Sequence, residues 1–301
     1  MRWGMRGGVL CAAMALTACG AGVDQSQSAN TEGDDLLPTG KGAITLQQLS
    51  SVAAAGNARP VRGNGISYHG GPVLTSGTNV YYIWYGNWST GDKTILTDLA
   101  QSIGGSPYFN INTTYYNGSN IHVQNKVTYS GARNDSYSHG TSLSDSAIQS
   151  IVAAGSPTDT NGVYFVLTSA DVNETSGFCT QYCGWHTRAT INGRDIKYAF
   201  IGNPARCPSA CTNGTPPPNG SVGADGAASI ISHELEEATT DPDLNAWYDN
   251  RGQENADKCA WTFGSTYSNG TGTANMKLGS RDFLIQQNWV NASGGFCAKS
   301  F

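Results

Sequence analysis

Apolar positions along the chain fall into two spacings. Continuous β-branched and aromatic runs occupy Asn79-Val-Tyr-Tyr-Ile-Trp-Tyr-Gly-Asn-Trp, Gly162-Val-Tyr-Phe-Val-Leu-Thr and Ile196-Lys-Tyr-Ala-Phe-Ile. Runs of this length and make-up predict buried strands. A further strand is expected over Ile121 to Tyr129, and short closing strands over Phe283-Leu-Ile and Asn288-Trp-Val. Between these runs the spacing changes to that of a helix. Ser89-Thr-Gly-Asp92 has the form of a capping box, and Ile95, Leu96, Leu99 and Ile103 then form one stripe that ends at Gly104-Gly105. Ser144 caps a second helix carrying Ala147, Ile148, Ile151 and Val152, whereas Phe178 to His186 reads as a loop. The order strand, helix, strand, helix, strand, strand, helix implies an α/β (α+β) fold. We expect a mixed β-sheet with helices on one side, compatible with a zincin-like arrangement.

The last helix in that order carries the chemistry. Ala227 to Ala238 contains no Gly or Pro, Asp225 stands at its amino end as a cap, and Pro242 forbids continuation. Ile231, Leu235 and Ala238 share one side. At about 100° per residue, His233 and Glu237 emerge together one turn apart on the other side. A nitrogen and an oxygen donor on adjacent turns make half of a tetrahedral zinc site, and Glu234 takes the place of a general base. The pattern is His-Glu-x-x-Glu, with Glu237 where zinc peptidases carry a second His.

A third ligand must come from a later segment. Asp241, Asp243, Glu254 and Asp257 follow. Asp243 has the spacing of an extended zinc motif, but Asp241-Pro242 also reads as a helix stop, so Glu254 or Asp257, before Cys259, is the expected metal ligand. Trp247, Tyr248 and Trp261 are candidates to wall the pocket. The same acids read equally as a solvated loop or as an oxygen-only calcium cluster.

Composition places this chemistry outside the cytosol. Met-Arg-Trp-Gly-Met-Arg is a basic n-region, Gly7 to Leu16 is an apolar stretch too short to span a bilayer, and Leu16-Thr-Ala-Cys19-Gly has the form of a bacterial lipobox. Residues 1–18 thus read as a signal peptide, Cys19 as the lipid attachment point, 19–60 as a flexible tether and 61–301 as a single extracellular domain. The formal net charge is -5, with no basic patch and no second apolar run. Nucleic acid is therefore not an expected partner, and the membrane is reached only through the anchor, at the cell surface or outer membrane. Six cysteines remain in the mature chain: Cys179, Cys183, Cys207, Cys211, Cys259 and Cys297. An even set in an exported chain implies three disulfides. We expect Cys259 with Cys297 and each Cys-x-x-x-Cys pair closed on itself; a four-thiolate zinc site would need a reducing compartment.

Several motifs carry a resemblance. Tyr68-His-Gly-Gly-Pro-Val-Leu before Asn79-Val-Tyr-Tyr-Ile-Trp-Tyr-Gly, Val166-Leu-Thr-Ser-Ala-Asp-Val, Gly177-Phe-Cys-x3-Cys-Gly-x-His, Cys207-Pro-x2-Cys, Pro218-Asn-Gly-x-Val-Gly-x-Asp-Gly and the terminal Cys297 resemble, in collinear order, the EXORDIUM or phosphate-induced protein family. The resemblance implies an extracellular protein, associated in plants with the cell wall and growth, without an established activity. The plant pattern has an apolar helix where this chain has His233 and Glu237, so the chain reads as a bacterial-type member whose zinc site rests on its own residues. His69 and His186 lie in the shared motifs and are candidates for a pocket residue or fourth ligand. Two functions follow: a zinc-dependent metallohydrolase, most simply a peptidase, or a non-catalytic module that binds cell-wall glycan through exposed Tyr and Trp.

Overall fold

The computed structural model describes residues 36–49 and 65–301. The expected signal peptide, Cys19 and most of the expected tether lie outside these residues. The core is a five-stranded sheet built from β1 (Thr78–Tyr85), β2 (Val127–Asp135), β3 (Gly162–Thr168), β4 (Gly184–Ile191) and β5 (Arg194–Ile201), in the order β2-β1-β3-β5-β4. The first four in that order run parallel, and β4 closes the edge antiparallel to β5. Every residue of β3 is buried, as a central strand covered on both faces requires.

Helix α1 (Thr90–Ser102) starts at Ser89, whose Oγ accepts from Asp92 N at 3.0 Å. Its apolar stripe, Ile95, Leu96 and Leu99, is buried. Helix α2 (Asp145–Ala154) starts at Ser144, whose Oγ accepts from Ala147 N. Helix α3 (Val222–Thr240) packs beside α1 and against β3, β4 and β5. The Tyr82 hydroxyl donates to Leu96 O of α1, while Arg133, aligned with Ile83 on the alternate pleat, reaches Ile151 O of α2. The mixed sheet and its helices therefore form as the sequence pattern implied, but not all on one side: the two longest helices share a face and the shorter α2 lies on the alternate pleat.

Further expectations are corrected. The site helix is longer than Ala227–Ala238: its cap is Ser221, which accepts from Ala224 N, and Asp225 lies in the first turn, accepting from Asn219 N and Ser221 N. Gly226, inside the helix, is a packing position, since a β-carbon there would lie 2.8 Å from Pro204 Cβ. The second strand begins at Val127 and not at Ile121, which is exposed. Phe178 to His186 is not wholly loop, because Gly184, Trp185 and His186 open β4.

The disulfides also differ in part. Cys259–Cys297 forms as expected, but the other two bridges cross between the motifs as Cys179–Cys207 and Cys183–Cys211. Cys207 and Cys211 bracket one short helical turn, so their side chains project side by side toward the partner pair. These bridges leave no thiolates for a four-cysteine zinc site.

The expected tether is in part a docked segment. Within 36–49, His186 N donates to Gly40 O at 2.9 Å, Cys183 N to Ala43 O at 2.7 Å, and Thr45 N to Gln181 O at 3.0 Å. Ala43 and Thr45 are buried. Among the described residues, no helix is long and apolar enough to cross a membrane.

A buried histidine and carboxylate centre

Three elements bring six donor side chains together. Helix α3 supplies His233, Glu234 and Glu237, strand β4 supplies His186, and the loop held by Cys259–Cys297 supplies Glu254 and Asp257. Five of the donors form two groups that share Glu237: His233, Glu237 and Asp257 on one side, and His186, Glu234 and Glu237 on the other, with Glu254 in neither. His233 Nε2 lies 2.9 Å from Glu237 Oε1 and 3.5 Å from Asp257 Oδ1. His186 Nε2 lies 3.2 Å from Glu254 Oε1 and 3.7 Å from Glu237 Oε2. The helix pair is thus assembled as its spacing implied.

The centre is buried and incompletely satisfied within the protein. All of these groups are buried except Asp257, which is partly exposed. Both oxygens of Glu234, Glu237 Oε2 and His233 Nε2 have no hydrogen-bond partner. The 2.9 Å approach of His233 to Glu237 is therefore close without hydrogen-bond alignment. Glu237 Oε1 accepts from Asp257 N at 3.2 Å, and Asp257 Oδ2 accepts from Glu254 N at 3.0 Å.

Burial disfavours charge on each acid. It is the main reason that Glu234 and Glu254 are pushed well above the usual carboxylate range, reinforced in both by the charge of Glu237. Burial, then Asp257, pushes Glu237 up to about 7. His186 falls to about 3 through burial. Burial also acts to lower His233, but Glu237 and Asp257 outweigh it, and the imidazole stands well above its usual range.

Other candidates are placed elsewhere. Asp243 faces Lys197 at 3.4 Å and Arg188 at 3.7 Å, and Asp241 Oδ1 accepts from Asn245 N and Ala246 N, closing the turn after the helix. His69 stacks on Tyr248 with ring centroids 3.6 Å apart, outside both donor groups. Trp247 belongs to a separate cluster with Ile66, Val73 and Tyr115. Trp261 does line a cavity of about 220 Å³, with Ala43, Ile230 and Gln286. The aromatic surface expected for glycan binding is largely internal: no described Trp is exposed, and Tyr267 is the one exposed Tyr among the described residues. Sequence reasoning missed Gln286, whose Nε2 lies 2.9 Å from His233 Nδ1, and Glu236, a further buried acid whose carboxylate accepts from Asn288 Nδ2. No spacing rule links Gln286 to a helix some fifty residues earlier.

Comparison with known proteins follows this geometry. Residues 66–277 match the Phi_1 family, described as the phosphate-induced protein 1 conserved region. The chain belongs to this family. It is 34% identical over 293 residues to Protein EXORDIUM-like 5 of Arabidopsis thaliana, covering 81% of this chain and 80% of that protein. It is 36% identical over 215 residues to Protein EXORDIUM-like 3 of the same plant, covering 61% and 64%, and 28% identical over 213 residues to Protein PHOSPHATE-INDUCED 1 of Nicotiana tabacum, covering 61% and 67%. No solved structure matches. The Phi_1 region contains all six donors, while residues 36–49 and Gln286 lie outside it.

Proposed function

We propose that this Phi_1 protein is an exported zinc-dependent hydrolase, most simply a peptidase. The observation that carries the reading is the set of buried atoms without a hydrogen-bond partner: Glu234 Oε1 and Oε2, Glu237 Oε2 and His233 Nε2. Carboxylates gathered in a protein interior are costly unless a cation or protons neutralise them. Two imidazoles with carboxylates form a mixed nitrogen and oxygen set of the kind zinc takes. His233, Glu237 and Asp257 would hold the ion, and Glu254 would fix His186 beside it. Between the two acids left open by the sequence, Asp257 is favoured as third ligand by its approach to His233.

Zinc, when bound, brings the pKa of a water ligand down to about 7. Glu234 would stand as the general base that takes a proton from the attacking water and returns it to the departing amine as the C–N bond breaks, while the bound metal would supply the polarisation of that water. Export is supported by the three disulfides and the amino-terminal pattern, with Cys19 as the acylated residue.

The test is elemental analysis of protein purified without chelator. One equivalent of zinc is expected, lost in His233→Ala; Glu234→Gln should keep the metal and lose about 10²-fold or more in peptide hydrolysis. A metal-free protein would overturn the reading. Incorporation of labelled fatty acid, abolished by Cys19→Ala, tests the anchor.

A further inference from the structure

A catalytic metal keeps one position open to substrate, yet the donors here are sealed. What seals them is the chain itself. Gly40 to Thr45 runs antiparallel along β4 and its approach in constant register, through His186 N to Gly40 O, Cys183 N to Ala43 O, Thr45 N to Gln181 O and the bridge of Ile44 with Tyr182. This is strand addition to a sheet edge, the mode in which an extended peptide is bound by its backbone. The edge is the one that carries the donor His186.

The added strand presses on the centre. A β-carbon at Gly42 would fall 2.0 Å from Asp257 Oδ1, and one at Gly40, whose φ is +67°, would fall 2.0 Å from His186 O. Gly40 must be glycine, and a side chain at position 42 would have to push the Asp257 carboxylate aside. The Trp261 Nε1–H donates to Ile44 O at 2.8 Å, so the strand continues along a cavity that is also lined by Gln286, the partner of His233. The intervening side chain is held apart from the centre. Lys41 Nζ lies 3.0 Å from Asp145 Oδ2, 2.9 Å from Ser176 Oγ, 5.0 Å from the centroid of the Tyr182 ring and 5.9 Å from that of Trp185. Glu174, bonded to the Tyr182 hydroxyl at 2.6 Å, adds a second acid to this recess.

We infer that residues 39–45 occupy the peptide groove of the hydrolase as an internal strap, keeping it latent, and that its substrate is an extended peptide with a basic side chain followed by a small residue. The inference rests on the peptidase reading for its chemistry, but the binding it describes does not require the metal. Backbone bonds to Cys183, His186 and Gln181 would hold any extended segment; the recess of Asp145, Glu174, Tyr182 and Trp185 selects a cation, and Asp257 excludes bulk at the next position.

The probe is a fluorescent peptide, Thr-Gly-Lys-Gly-Ala-Ile-Thr, titrated by anisotropy against the full chain and its Gly42→Val variant, first in chelator. If the strap fills the groove nine-tenths of the time or more, displacing it tightens the apparent affinity by about tenfold or more. Replacing the Lys of the peptide by Ala should weaken binding to the variant by roughly fivefold. Lys41→Glu, repelled by Asp145 and Glu174 without touching Asp257, should release the strap as well and guards against a folding defect in Gly42→Val. Equal affinity of the full chain and both variants would overturn the inference, and so would indifference to the Lys of the peptide. With zinc added, cleavage by the released variants supports both readings; tight binding without cleavage supports the strap and removes the peptidase alone.

Discussion

The backbone N–H of Trp261 donates to Gln286 Oε1 at 2.6 Å, and this bond decides which end of the amide faces His233. It leaves Gln286 Nε2, a donor, 2.9 Å from His233 Nδ1. An imidazole that binds metal through Nε2 carries its proton on Nδ1 and needs an acceptor there. Metal loading therefore requires the Gln286 amide to turn over, at the expense of the Trp261 bond.

Gln286→Glu removes that conflict, since one carboxylate oxygen can accept from Trp261 N and the other from His233 Nδ1–H. Zinc affinity should rise by about tenfold, the lower end of what outer partners of metal ligands contribute. Competition with a chromogenic chelator measures it. An unchanged or weaker affinity would mean that the ring does not ligate through Nε2.

Acidity should stabilise the metal-free protein. Glu237 titrates near 7 when folded against a usual 4.5, so its contribution is fully present below pH 4.5 and lost as pH rises toward 7. For this group alone the loss is on the order of 3 kcal/mol. In chelator, thermal melts should therefore shift several degrees downward between those pH values, and zinc should abolish the shift. A chelated protein that gains stability over the same interval would contradict the protonation assigned to the centre.

The two crossed disulfides close overlapping loops, each with a sequence separation of 28. With Cys179–Cys207 intact, Cys183 and Cys211 are joined by a path of only about eight residues. Removing Cys183–Cys211 by paired Ala substitutions should then cost roughly 2–3 kcal/mol, and removing both bridges roughly 6 kcal/mol. Urea denaturation under non-reducing conditions measures both.

Leu99 is fully buried between α1 and its neighbours. Leu99→Ala should cost about 2–5 kcal/mol without altering zinc stoichiometry, which separates loss of packing from loss of the site. Calorimetry with metal analysis on the same samples checks it.

The sequence carried the elements whose cause is local. Ser89 and Ser144 cap α1 and α2 as their spacing implied, and His233 and Glu237 meet because the helix places them one turn apart. What it hid depends on contacts made across the fold. His186 is a candidate from its shared motif but reads as loop, and its place beside the helix donors follows only from the pairing of β4 with β5. Gly226 interrupts helix propensity because Pro204 lies against it. Tyr82 and Tyr85 stay in the buried strand that their run implied, and Tyr115 is internal as well, with the three hydroxyls reaching the carbonyls of Leu96, Gly140 and Trp289.

The sheet protects its two borders by different means. On β2 the register slips at Ser130, which falls between Tyr129, paired with Val80, and Gly131, paired with Tyr81, a bulge that spoils that border for further pairing. On β4 the protection is borrowed from residues 40–45. Dislodging that segment would leave unpaired amides along the other border, so an activated molecule would be inclined to self-associate unless substrate took its place, and its colloidal behaviour would report on its state of activation.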